Sequence, residues 1–315
     1  MNEQNIIYEK NSNEKVSVAS LTKIVTAITV IENVDDLNKE IIITRDMIKN
    51  LDGYANIGLK VGSKLTYLDL LYALMLPSAA DAAQALAIST SGSIKEFSNL
   101  MNLKVKQIGV LNSNFDNPIG KDSKNNYSTA YDMSKILIYS LKNNTFKEIF
   151  NAKTYTIKSL NKKLNKTILG YKTNLSVITG AKTGFTYDAG LCLASTITLE
   201  NVDYLLITLG AEIKNENHAK DTLNIVQKLY ENYKYLTYPR TDSKHLTTDM
   251  YSTIKERLVN ASYGEYAKYS KLIIEKGITN SKRIFDNQKV SDHHAIIPTE
   301  EKCIIGMLES DEMRV

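Results

Sequence analysis

Apolar residues recur at helical spacing through the first half of the chain. In SLTKIVTAITVIEN, Leu21, Ile24, Val25, Ile28 and Ile31 fall three or four apart, which predicts a helix with Ser20 at its start. TYLDLLYALML predicts a second helix, with Thr66 and Asp69 spaced as a capping box and Pro77 closing it. ADAAQALAIS, SIKEFSNLMNLKVKQIG and TAYDMSKILIYSLKN predict three more. Between them, EIIITRDMI reads as a short strand running into a turn and YANIGLKVGSKLT as a loop punctuated by glycine. VLNSNFDNPIGKDSKNNYSTA is polar and rich in turn residues, so a structured loop.

Beyond residue 150 the period shortens. TYTIKS alternates, and the apolar runs LCLASTITL and VDYLLITLGA, joined across Glu200 and Asn201, predict an antiparallel hairpin. HAKDTLNIVQKLYENY predicts a closing helix. Residues 1–232 therefore read as an α+β domain with an antiparallel sheet. From 233 to 315 the chain is richer in Tyr and Lys and helical spacing resumes, so a second, mainly helical region is expected there.

Composition narrows the classes. With 315 residues there is room for one large domain or two ordinary ones, and 43% hydrophobic against 23% charged residues is a folded, globular balance. A net charge of +4 is too weak to imply a nucleic-acid partner by itself. No apolar run is long enough to cross a membrane, and the first residues, MNEQNIIYEKNSNEK, lack the apolar stretch of a signal peptide. Cys192 and Cys303 stand far apart without partner motifs, so neither a zinc site nor a disulfide framework is expected, and no metal or cofactor is called for.

Three short motifs carry chemistry. In Ser20-Leu21-Thr22-Lys23, helical spacing puts an amine on the same face as a hydroxyl, which needs a base to become a nucleophile. A helix N-terminus also favours negative charge building up near Ser20. Ser78 lies at a junction between two predicted helices, where a hydroxyl can relay protons or cap a helix. Lys182-Thr183-Gly184 stands ahead of a predicted strand. Its amine and hydroxyl suit a carboxylate, and the glycine suits a close backbone approach. Each motif alone is common.

In this order, the three motifs mark active-site-serine penicillin-recognising enzymes. With YEKNSNEKVSVASLTKIVTA, LPSAADAAQALA and GAKTGFTYDAGLCLAST around them, residues 3–230 resemble the D-alanyl-D-alanine carboxypeptidases among the low-molecular-mass penicillin-binding proteins. The resemblance implies a penicillin-binding, β-lactamase-like transpeptidase fold. It implies an acyl-enzyme on Ser20, with Lys23 as general base and Ser78 as proton relay. Lys182 and Thr183 would hold the terminal carboxylate of a peptidoglycan stem peptide ending in D-Ala-D-Ala. Gly184 would admit its backbone, and the N–H groups of Ser20 and Phe185 would form the oxyanion hole. β-Lactams would be inhibitors, and the cell envelope, outside the cytoplasmic membrane, the location. Two departures stand out. Ala80 replaces the asparagine of the family's Ser-x-Asn motif, a loss expected to cost about 2–4 kcal/mol of transition-state stabilisation. Against the family pattern, a shorter front end without an export signal is also expected from the opening residues.

The last part of the chain resembles something else. LTYPRTDSKHL and, further on, VSDHHAIIPTEE resemble the active-site tyrosine segment and a second stretch of type IA DNA topoisomerases of the topoisomerase III kind, over residues 234–315. Tyr238 would match the tyrosine that bonds to cleaved single-stranded DNA, Arg240 would pair with a phosphate, and His293 would lie near the scissile phosphate. Such enzymes need an acidic, magnesium-binding domain ahead of the tyrosine domain, and residues 1–230 contain no such acidic cluster. The segment is therefore expected to be a truncated fragment fused in frame, ending at DEMRV where the resemblance would carry on.

Overall fold

The computed structural model describes residues 6–199, 202–233, 245–260, 262 and 267–290. The chain divides into two compact units, Lys10–Asp221 and Met1–Glu9 with Thr222–Val315.

In the larger unit, a turn of 3-10 helix, Ala19–Leu21, leads into α1, Thr22–Asn33. Every residue from Thr22 to Val30 is buried, so α1 is a central helix rather than one lying on the surface. Two of its threonine hydroxyls find partners, while that of Thr29 is buried without one among the described residues. Thr26 Oγ1 donates to the Pro118 carbonyl at 2.8 Å, and Thr22 Oγ1 accepts from Asn126 Nδ2 at 3.2 Å. Around α1 lie α2 (Tyr67–Met75), α3 (Ala80–Ser91), α4 (Ile94–Ile108), α5 (Ala130–Leu141) and α6 (Asn144–Asn151), each in contact with it. Thr66 and Asp69 form the expected capping box on α2. The hydrophobic cluster these helices enclose, with Phe97, Phe115 and Phe146 among its largest members, is the core of this unit.

Strands β1 (Glu40–Ile42) and β2 (Lys64–Thr66) pair antiparallel, as do β3 (Thr154–Ile157) and β4 (Lys162–Asn165). The main sheet is antiparallel in the order β5 (Ile178–Thr186), β6 (Gly190–Leu199), β7 (Val202–Ala211), and α5 and α6 pack against it. The β6–β7 hairpin is the one the apolar runs predict. One expectation needs correcting: Lys182, Thr183 and Gly184 lie inside β5, not ahead of a strand. Helix α6 beside it and the Ala19–Leu21 turn against it bury β5 almost throughout, so it never shows the polar-apolar alternation of a half-exposed strand.

Helix α7, Asn217–Tyr233, contains the division between the units. Within the second unit, α8 (Ile254–Asn260), α9 (Ala267–Lys276) and short 3-10 turns surround a small cluster of Leu246, Met250 and Phe285. This is the mainly helical character expected of the region.

The polar loop between α4 and α5 has a definite shape. The Asn117 side-chain oxygen accepts from the N–H groups of Ile119, Gly120 and Lys121 at 3.2, 2.9 and 2.9 Å, curling the chain tightly around it. Gly120 follows at φ +83°, and a Cβ there would lie 1.9 Å from the Ala19 carbonyl oxygen. Gly109, the C-cap of α4, has a similar φ of +82° with nothing near. Gly109→Ala should therefore carry only the left-handed backbone penalty of about 1 kcal/mol. Gly120→Ala should cost roughly 1–3 kcal/mol more, because the loop must also shift. Urea unfolding of the two variants side by side measures the difference.

Candidate active site

Ser20 sits in the 3-10 turn ahead of α1, so it opens the helical segment without capping it. The residue before it, Ala19, is held at φ +45°, a conformation costing an alanine about 1–2 kcal/mol. The turn is enforced from both sides. The Ala19 carbonyl is pressed against Gly120, and a Cβ on Gly184 would lie 3.1 Å from the Ser20 nitrogen. Glycine at 184 is thus what lets β5 run alongside the Ser20 backbone.

Lys23 lies one turn on, as the spacing predicts. Its Nζ is 2.9 Å from Ser20 Oγ and donates to the Ile119 carbonyl at 2.6 Å. The side chain is fully buried, and burial pulls its pKa down to about 7. Near neutral pH the amine can then be uncharged, with a lone pair able to take the Ser20 proton.

Ser78 occupies the turn between α2 and α3 at φ +64°, another strained position. Its Oγ accepts from Lys182 Nζ at 2.9 Å, and Lys182 also donates to the Thr183 carbonyl at 2.8 Å. Burial depresses the Lys182 pKa strongly, and the nearby amines of Lys23 and Lys166 push in the same direction. The sequence-predicted residues therefore come together as two hydroxyl–amine pairs, with the two amines close enough to repel. Thr183 is buried beside Lys182 in β5, while Phe185 is exposed and meets the Tyr187 ring edge-on at 5.5 Å.

Ala80 is buried at the start of α3, and its N–H donates to the Ala55 carbonyl at 2.7 Å. Next to it, the buried Asp81 carboxylate accepts from the N–H groups of Ile57 and Leu59 at 3.2 and 3.0 Å, which fixes the segment facing α3.

Sequence reasoning missed Lys166. Its amine is buried, donates to the Phe150 carbonyl and is pulled down to about 7 by burial first and by Lys153 second. In KKLNKT nothing distinguishes it from its solvated neighbours; only the fold buries it. Tyr238, Arg240 and His293 lie outside the described residues. Among the described residues no group of three or more His, Cys, Asp or Glu side chains converges as a metal site would require.

A hydroxyl with an adjacent deprotonatable amine, and a second buried hydroxyl–amine pair beside it, is chemistry suited to acyl transfer. Similarity to known proteins agrees with this geometry. Residues 1–213 match the D-alanyl-D-alanine carboxypeptidase family, peptidase S11, and residues 195–314 match a DNA topoisomerase family. The D-alanyl-D-alanine carboxypeptidase DacF of Bacillus subtilis is 30% identical over 252 residues, covering 76% of this chain and 63% of DacF. The DNA topoisomerase 3 of Bacillus cereus is 54% identical over 82 residues, covering 26% of this chain and 11% of that protein. The chain thus spans less than two thirds of either relative. The crystal structure of the Streptomyces K15 DD-transpeptidase superposes with a TM-score of 0.65 at 28% identity, over 70% of this chain and 90% of that one. With its family match over residues 1–213 and two hydroxyl–amine pairs on this fold, the chain belongs to the D-alanyl-D-alanine carboxypeptidase family and carries a topoisomerase segment behind that domain.

Proposed function

We propose that residues 1–232 form a serine D-Ala-D-Ala carboxypeptidase acting through an acyl-enzyme, and that 233–315 are a separate topoisomerase-derived segment. The observation that carries the reading is the 2.9 Å contact between Ser20 Oγ and the buried, readily deprotonated amine of Lys23. Ser20 Oγ attacks the carbonyl joining the two terminal D-alanines of a peptidoglycan stem peptide, and its proton passes to Lys23 Nζ. The oxyanion that forms is met by the N–H groups of Ser20 and Phe185. Ser78 delivers a proton to the departing amine. Lys182 and Thr183 bind the terminal carboxylate, whose negative charge favours a protonated Lys182 once it is in place. Water then releases the acyl group from Ser20. The location that suits this chemistry is the outer side of the cytoplasmic membrane, and β-lactams would acylate the same hydroxyl.

Ala80 weakens this machinery. An asparagine amide there would reach toward the substrate backbone and the Lys23 amine; a methyl group offers neither contact. Ala80→Asn should raise the acylation rate by about 10²–10³-fold, the usual worth of one such polar group in a preorganised site. Stopped-flow or quench kinetics with a chromogenic cephalosporin reads the change.

For the C-terminal segment, single-stranded DNA binding through Tyr238, Arg240 and His293 is a second reading, favoured by the 54% identity to a topoisomerase over 82 residues. It requires an affinity that falls steeply with salt, with a log–log slope set by the number of phosphates contacted. A salt series by fluorescence anisotropy with a labelled oligonucleotide tests it, and salt-independent or undetectable binding removes it.

The main reading is tested by intact mass after incubation with benzylpenicillin. An adduct of one penicillin is expected on the parent and none on Ser20→Ala. Because Lys23 must be neutral to act as base, and burial places its pKa at about 7, the adduct should form slowly at pH 6. Formation should speed up as pH rises through 7, then level off. A folded parent that gains no mass across this range refutes the carboxypeptidase reading.

A further inference from the structure

Asp122 takes no part in the mechanism above, yet it ties together the two backbone segments that the mechanism needs in register. Its Oδ1 accepts from Ser17 Oγ at 2.6 Å and from Thr186 Oγ1 at 2.8 Å. Ser17 lies three residues before Ser20. Thr186 is the last residue of β5, directly after Phe185. Both bonds end on the same carboxylate oxygen. Asp122 itself leaves the tight curl around Asn117 two residues after Gly120, so the same loop delivers Ile119 to Lys23, presses Gly120 on Ala19 and carries Asp122 to the clamp.

We propose that Asp122 is a positioning residue that sets the gap between the Ser20 and Phe185 N–H groups, and so the shape of the oxyanion hole, by holding Ser17 and Thr186 on one oxygen. The proposal rests on the acyl-transfer reading of Ser20. Apart from the clamp, β5 and the strained turn at Ala19 meet through packing, at Gly184 among other places. Both donors must sit close to where the oxyanion forms. A displacement of the order of 1 Å at one of them costs about 10²-fold in rate. The Lys23 contact does not depend on Asp122, since Ile119 and Ser20 hold that amine. The base should therefore keep its titration while the oxyanion hole loosens.

The test uses the full chain and benzylpenicillin, separating the acylation rate constant from the affinity of the preceding complex. Asp122→Ala should slow acylation by about 10-fold to 100-fold, with the pH midpoint near 7 unchanged. Asp122→Asn keeps an oxygen able to accept both bonds and should retain most of the parent rate. Ser17→Ala and Thr186→Ala each remove one arm and should each slow acylation, and combining both with Asp122→Ala should add nothing further. A boronic acid that forms a tetrahedral anion on Ser20 should bind Asp122→Ala more weakly by a similar factor. An acylating parent with an unchanged Asp122→Ala rate overturns the clamp alone, as does Asp122→Asn falling as far as Asp122→Ala. A parent that acquires no adduct overturns the acyl-transfer reading, and the clamp falls with it. If Asp122→Ala fails to fold, the two single-arm variants decide on the same criteria.

Discussion

The site depends on one buried amine. A lysine is rarely placed wholly out of water, because the charged form loses several kcal/mol of hydration. Lys23 avoids most of that penalty by shedding its proton at about 7, and the polar partners it keeps, Ser20 Oγ and the Ile119 carbonyl, suit a neutral amine. The burial that would be a defect in a structural lysine is what would let this one serve as the proposed base near neutral pH. Helix α1 must therefore be buried on all sides, and that requirement explains the ring of helices around it and the polar loop folded over its start.

The loop between α4 and α5 meets that requirement by satisfying its own backbone first. Asn117 absorbs three consecutive N–H groups, which leaves the neighbouring carbonyls of Pro118 and Ile119 to face α1, where Thr26 and Lys23 donate to them. A segment with no regular secondary structure thus becomes as determinate as a strand. It also supplies the pressure that keeps Ala19 at a positive φ. Strain at Ala19 and Ser78 persists because the surroundings hold it in place; one of these residues borders Ser20 and the other accepts from Lys182.

What could be read from the sequence divides along a physical line. Features set by a few neighbouring residues were legible: the period of α1, the Thr66–Asp69 capping box, the β6–β7 hairpin and the spacing of Ser20 and Lys23. Features set by distant chain were not. β5 lost its alternation because a turn some 160 residues earlier covers it, so its motif looked like a loop before a strand. Helix α6 is not legible in the sequence because eight residues give too few repeats to fix a period. Lys166 and Asp122 look like ordinary surface charges until the fold sets one against a carbonyl and the other between two hydroxyls.

The two family matches overlap at residues 195–213, and the sheet decides which of them those residues serve structurally. Within β6, Ser195 pairs with Ala181 and Leu206, and Ala194 pairs with Lys182 itself and with Ile207. Strand β6 thus holds β5 on the side away from Ser20, and β7 holds β6. Lys182 is fully buried and burial depresses its pKa, so the strand that carries it must hold it out of water. The shared residues are therefore committed to the peptidase sheet whatever sequence likeness they retain to the other family.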